Sequence, residues 1–314
     1  MKQKLLDLLC CPSCGSGLEL LRPVAGNDEI ETGVLNCAAC KKEYPIVNFI
    51  PRFVETDQYV NNFSFEWTVH RQTQLDSVTG STESRDTFTE KTGFEPGKLG
   101  GALVLDVGCG TGRFMEIAQP HAGEIVGVDL SFAVDAAYKN LGRRGNAHLV
   151  QADIFQLPFK DAVFDRIYSI GVLHHTTDTR EAFLKLPRLL KTGGEIAVWV
   201  YSDETDYTRR RNRFTDLYRL VTVHMPNKLL WWLSHLAIPF YYLKKIPKLG
   251  TLLDMTIPMS NHPEPRWRVL DTFDWYSPKY QYKHTWLEVE NWFSEAGLRE
   301  VSRLSFPVSV KGKK

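Results

Sequence analysis

The chain has 314 residues, 43% of them hydrophobic and 24% charged, which is ordinary composition for one large globular domain or two smaller ones. A net charge of +1 at pH 7 provides no overall field to recruit a polyanion, so nucleic-acid binding would need a local basic patch. No signal peptide is expected, because Asp7 interrupts the first apolar run. The longest apolar stretch, Leu229 to Leu243, carries Ser234, His235 and Pro239 and is shorter than the roughly 20 residues of a spanning helix, so no transmembrane segment and a cytoplasmic location are expected.

Residues 1–54 read as a small separate module. Cys11 and Cys14 form one C-x-x-C knuckle, and Cys37 and Cys40 form a second, with 22 residues between the two. Four thiolates can close a tetrahedral zinc site, and with four sulfur ligands no position stays open, so the zinc is expected to be structural. Cys10 is left outside the set. Residues 55–98 read as a leading helical or linker segment with embedded aromatics. Its Phe65 and Trp67 either cover a cofactor or pack a leading helix. From 99 to 201 short apolar runs alternate with helical patterns, with Ser131 and Asp178 as helix N-caps, which predicts a parallel sheet with helices on both faces.

Residues 202–284 break the alternation. They leave the carboxyl end of the fifth strand, on the ligand side of the sheet, where an insertion serves as a lid that supplies acceptor specificity. Residues 285–314 then complete the core. Thr285 and Glu288 form a capping box, Gly297 suits a helix C-cap, and two final strands follow as an antiparallel pair.

The informative stretch is "LVLDVGCGTGRF", Leu103 to Phe114. A strand feeds Gly108, Gly110 and Gly112, which let the backbone turn sharply and approach a ligand. Asp106 at the strand end would repel a pyrophosphate and attract an ammonium and a sulfonium. S-adenosylmethionine has both and no phosphate. Asp129 ends the next strand, where it can accept from both ribose hydroxyls. Asp153 follows the third, where it can accept from the adenine amino group while Ile154 covers a ring face. Singly, each Asp would be an ordinary turn residue. Three after successive strands, with the glycine loop on the first, point to the cofactor.

These motifs, with "FDRIYSIGVLHHTTD" and "LLKTGGEIAV", make residues 99–201 resemble the class I S-adenosylmethionine-dependent methyltransferases. The resemblance implies an α/β, Rossmann-like, seven-stranded doubly wound sheet with an antiparallel last strand. It implies cofactor contacts from Asp106, Gly108, Gly110, Asp129, Leu130, Asp153 and Ile154. The N-terminal module resembles a family of short zinc-ribbon proteins that includes the activator subunit of tRNA and protein methyltransferases. A ribbon ahead of such a domain also resembles the ribosomal RNA large-subunit guanine methyltransferases, which keeps an RNA base acceptor open.

The residues after the fourth strand, "SIGVLHHTTD", border the methyl group in this fold. They hold neither an Asn-Pro-Pro-aromatic motif nor a Pro-Cys pair. His174 and His175 are candidate general bases or else packing residues. The aromatics of the insertion, Tyr207, Trp231, Trp232, Phe240, Tyr241 and Tyr242, are expected mostly to pack the lid against the core. Arg209 to Arg213 is either a phosphate or carboxylate grip or a solvated helix face. The expectation is methyl transfer to an oxygen, nitrogen or carbon of a small organic acceptor, with weak membrane-surface contact through 229–245 as a minor option. The rivals are an RNA base methyltransferase gripping RNA with its ribbon and a non-enzymatic cofactor-binding scaffold. The sequence leaves the oligomeric state open.

Overall fold

A computed structural model describes residues 1–26, 29–54 and 72–314. Phe65 and Trp67 lie outside the described residues. The chain opens with α1 (Gln3–Leu8) and a four-stranded antiparallel sheet in sequential order, β1 (Glu19–Gly26), β2 (Glu29–Asn36), β3 (Glu43–Val47) and β4 (Ile50–Pro51). Two helices follow, α2 (Asp76–Thr79) and α3 (Glu83–Thr92).

The main sheet is built from β5 (Leu103–Val107), β6 (Glu124–Asp129), β7 (Ala147–Gln151), β8 (Phe164–Ile170), β9 (Leu190–Trp199), β10 (Arg299–Arg303) and β11 (Ser309–Lys313), in the order β10-β11-β9-β8-β5-β6-β7. Strands β5 to β9 pair in parallel, and β11 runs antiparallel to both its neighbours. The parallel strands are apolar along most of their length because both faces are covered. Alternate side chains of β5 show this: Leu105 and Val107 join one buried cluster, and Val104 joins the other with Tyr168 and Ile125. The order reverses beside β5, so a crevice opens at the carboxyl ends of β5, β6 and β8. Three helices close the crossovers: α4 (Arg113–Ala118), α5 (Ala133–Ala137) and α6 (Thr179–Leu184). Asp178 caps α6 by accepting from the Glu181 N–H at 2.8 Å.

Between β9 and the last helix lie α7 (Asp206–Thr222), α8 (Asn227–Ser234), α9 (Ala237–Leu243), α10 (Leu249–Thr256) and α11 (Pro265–Tyr276). Helices α7, α8 and α9 pack on α11, and α10 packs on α7. Leu230, Phe273 and Tyr276 form the small core of this layer. The expectation for the lid aromatics needs correcting here. Trp232 and Tyr242 are 66% and 63% exposed rather than packed, whereas Tyr241 lies against the buried Arg268 guanidinium at 3.8 Å. The final helix, α12 (Trp286–Glu295), begins with the expected Thr285–Glu288 capping box and is followed by Gly297 at φ 71°.

The cysteine module shares the main core instead of standing apart. Leu5, Leu9, Cys11, Cys37, Tyr44 and Ile46 belong to the same buried cluster as Leu105, Val126 and Val150. Its backbone also reaches the free edge at β7. The Phe53 N–H donates to the Gln151 carbonyl at 2.8 Å, and Cys10 N–H donates to Pro158 at 2.9 Å. Arg52 fastens the join, donating from Nη1 to Gln151 Oε1 at 2.7 Å and from Nη2 to Asp135 Oδ1 at 2.8 Å. An edge strand left open would be a template for association, and the module covers it.

Candidate functional site

The loop after β5 uses glycine where no other residue fits. Gly108, Gly110 and Gly112 all have positive φ, and a Cβ on Gly108 would come within 2.3 Å of Val172. The Gly108 and Cys109 N–H groups donate to the Val128 carbonyl at 2.7 and 3.0 Å, which fixes the loop against β6. Asp129, at the end of β6, holds it from the other side. Its Oδ2 accepts from the Gly110 N–H at 2.9 Å, and its Oδ1 accepts from the Ser131 N–H and hydroxyl at 2.8 and 2.7 Å. Burial raises its carboxyl above the ordinary range, and these bonds pull it back. Asp153 accepts from the Phe155 N–H at 2.9 Å through Oδ1.

These residues border one cavity of about 590 Å³. Gly108, Gly110, Asp129, Leu130, Asp153, Ile154 and His175 line it, whereas Asp106 and His174 stand behind its wall. Asp106 is 2% exposed, and its Oδ2 finds no hydrogen-bond partner among the described residues. Burial pushes its carboxyl up to about 8, opposed by the Tyr168 hydroxyl and reinforced by Asp129. His174 is fully buried, stacks on the Tyr201 ring at 3.9 Å and accepts from the Tyr201 N–H at 3.3 Å through Nδ1. Burial first, and then His175 and His284, hold it well below the ordinary imidazole range.

Whether this crevice suits S-adenosylmethionine can be judged from two features. Gly108 and Gly110 bring backbone without side chains to the cavity wall, and Asp106 behind that wall has a buried carboxylate oxygen with no hydrogen-bond partner among the described residues. Both suit a compact cationic ligand. Asp129 and Asp153 add acceptors along the same wall.

The four thiols also come together. Cys11, Cys14, Cys37 and Cys40 have Sγ atoms all within 4.8 Å of one another, and the 11–40 and 14–37 pairs are 3.5 Å apart. Zinc–sulfur bonds of about 2.3 Å set tetrahedral edges of about 3.8 Å, so the donor set and its spacing fit zinc. Cys10 is buried and lies outside the cluster.

Residues 105–198 match the family described as methyltransferase domain. The chain carries a methyltransferase domain. Residues 2–48 match the Trm112p-like proteins, so a Trm112p-like zinc ribbon precedes that domain. O-methyltransferase rstn1 of Aspergillus nomiae is 33% identical over 116 residues, 35% of this chain and 52% of its own. The tRNA U34 carboxymethyltransferase of Proteus mirabilis is 32% identical over 144 residues, 43% of this chain and 44% of its own. A solved complex containing the Haloferax volcanii Trm112 methyltransferase activator is similar at 14% identity and a TM-score of 0.46, over 83% of this chain and 99% of that one. The chain spans about half the length, or less, of the two curated relatives.

Other elements also contribute to the lining of the methyltransferase domain's cavity. Lys91 comes from α3, Arg113 from α4, Trp199 and Tyr201 from the end of β9, and Trp267, Asp271, Asp274 and Trp275 from α11. Lys91 Nζ sits 3.2 Å from the Trp199 ring centroid and 4.6 Å from that of Phe306, and no carboxylate forms an ion pair with it among the described residues. Burial, with Arg113 next, holds its ammonium well below the ordinary lysine range. The Tyr201 hydroxyl donates to Asp274 Oδ2 at 3.0 Å. Burial pushes Asp271 up to about 6 against the Ser260 hydroxyl that donates to it. None of the six lid aromatics named from the sequence lines the cavity. Trp199 and Tyr201 follow a strand end and could have been marked by that signal. Lys91, Arg113 and Trp267 carry no local motif.

Proposed function

We propose that the chain transfers a methyl group from S-adenosylmethionine to an oxygen, nitrogen or carbon atom of a small organic acceptor. The observation that carries this is the single cavity. The glycine loop, Asp129 and Asp153 line it together with the aromatic side chains of Trp199, Tyr201, Trp267 and Trp275. When bound, the cofactor supplies an electrophilic methyl group. The chain's residues bind, orient and shield. Asp129 and Asp153 offer carboxylate oxygens to neutral polar groups, and Asp106 stands behind the wall beside the loop, where a cationic ligand would favour its ionised form. Trp199, Tyr201, Trp267 and Trp275 give an apolar acceptor a fixed pose away from water.

His175 is the candidate base. Its Nδ1 donates to the Tyr280 carbonyl at 2.9 Å, which leaves the lone pair on Nε2. Burial lowers the ring below the ordinary imidazole range, against Asp274 and the Tyr280 carbonyl, which favours the neutral form that a base must start from. The zinc ribbon supports a structural role in this reading, since none of residues 1–54 described here lines the cavity.

The test is incubation of the full chain with methyl-labelled S-adenosylmethionine and whole cell extract, followed by fractionation of the label. Label in low-mass organic material, unaffected by ribonuclease, is expected. Label in RNA that ribonuclease releases would overturn the small-molecule acceptor in favour of RNA. Cofactor binding with no label anywhere would favour the scaffold.

A further inference from the structure

The described residues expose twenty large hydrophobic side chains, and thirteen of them fall between Tyr207 and Leu252, on α7 to α10 and their links. Such concentration is not the scatter of single apolar residues found on any surface. Leu220 is 71% exposed, Trp232 66% and Tyr242 63%. The spacing is helical. Leu217, Leu220 and Val221 share one face of α7, and Leu229 and Trp232 share one face of α8. These are outward faces, because α7, α8 and α9 turn their other sides to α11. The same segment is strongly basic. Residues 206–256 hold nine lysines and arginines against three aspartates and no glutamate, in a chain whose total is only +1. Arg210, Arg213, Lys228, Lys245 and Lys248 are exposed and form no ion pair among the described residues.

We infer that the outward face of α7 to α10 is a docking surface for an anionic lipid bilayer. Apolar side chains interleaved with basic ones are what the boundary between headgroups and acyl chains accommodates. Leu, Val and Ile enter the apolar layer, Trp232 and Tyr242 sit at its edge, and the basic side chains reach the phosphates. A second copy of the chain on this face would set one basic patch against another. A nucleic-acid backbone would meet the cations but leave the aliphatic side chains uncovered. The bilayer satisfies both parts of the pattern. Docking would place α11, whose Trp267, Leu270, Asp271, Asp274 and Trp275 line the cavity, one helix layer beneath the lipid. No helix among the described residues is long and apolar enough to cross a membrane, so contact is by surface insertion.

The test reads vesicle binding, not methyl transfer, so it stands or falls apart from the proposed activity. The zinc-loaded full chain is floated with phosphatidylcholine vesicles and with equal parts phosphatidylcholine and phosphatidylglycerol. Binding is expected to the anionic vesicles only, and to weaken by about tenfold or more at high salt. A Leu220→Ser, Trp232→Ser, Tyr242→Ser variant is expected to lose about tenfold or more in partitioning with an unchanged circular dichroism spectrum. Should that variant misfold, Lys245→Glu with Lys248→Glu tests the electrostatic half. Failure of the unaltered chain to bind anionic vesicles would overturn the inference. So would equal binding by a folded variant, or a concentration-dependent dimer that the serine variant abolishes.

Discussion

Asp106 and Asp129 lie on neighbouring strands, and their surroundings separate their roles. Asp129 is held by three hydrogen bonds, whereas Asp106 is buried with one oxygen unpartnered. With its carboxyl pushed up to about 8 from an ordinary 3.8, Asp106 is mostly protonated in the ligand-free fold at neutral pH. The unfolded chain binds fewer protons there, so this group lowers stability as pH rises from about 4 to about 8. Asp106→Asn should therefore raise the ligand-free melting temperature near pH 8. A cationic ligand is met best by the ionised form, so cofactor affinity by calorimetry should rise with pH in the unaltered chain and stay flat in the variant. Lys91, also in the cavity lining, faces two rings and forms no ion pair among the described residues. Lys91→Met should raise the acceptor KM by about tenfold and leave the cofactor Kd unchanged. Equal loss of both would mean that Lys91 only shapes the fold.

At the scale of elements, the β5 turn depends on one close approach. Gly108 has φ 80°, and its missing Cβ makes room for Val172 in the turn after β8. Gly108→Ala should cost about 1–3 kcal/mol in denaturant unfolding and weaken cofactor binding. Adding Val172→Ala should return part of the stability by removing the clash, while the backbone strain remains. This turn was legible in the sequence because strand, glycines and acids are neighbours in the chain. So were Asp129, Asp153 and the Thr285–Glu288 box, each of which works over two or three residues. Asp106 was legible as an acid but not in its depth, which the stacking of β8 and Tyr168 against β5 decides. The histidine pair divides in the same way. Adjacent side chains leave a 3₁₀ turn in different directions, and only His175 reaches the cavity.

At the scale of the whole molecule, the ribbon and the main sheet share one hydrophobic core and a strand edge. Metal removal should therefore not melt the ribbon alone. Chelation, or Cys37→Ser, is expected to lower the melting temperature of the entire chain in a single transition by calorimetry. Two separated transitions would show that the modules fold independently. Arg52 is the polar link in that join, and Arg52→Ala should cost about 2 kcal/mol through its lost bonds to Gln151 and Asp135.

The sequence by itself determined the elements whose chemistry is local: the C-x-x-C knuckles, the glycine turn, the acids that end β6 and follow β7, and the alternation that makes a doubly wound sheet. Periodicity and turn chemistry act over a few residues, so they are written in order along the chain. Only the tertiary structure decided what stands opposite what. It brings Lys91, Arg113, Tyr201 and Asp274, 183 positions apart at the extremes, to one chamber, seats the ribbon on β7, and turns Trp232 and Tyr242 outward. Those outcomes come from packing whole faces against one another, and no short window of residues records which face meets which.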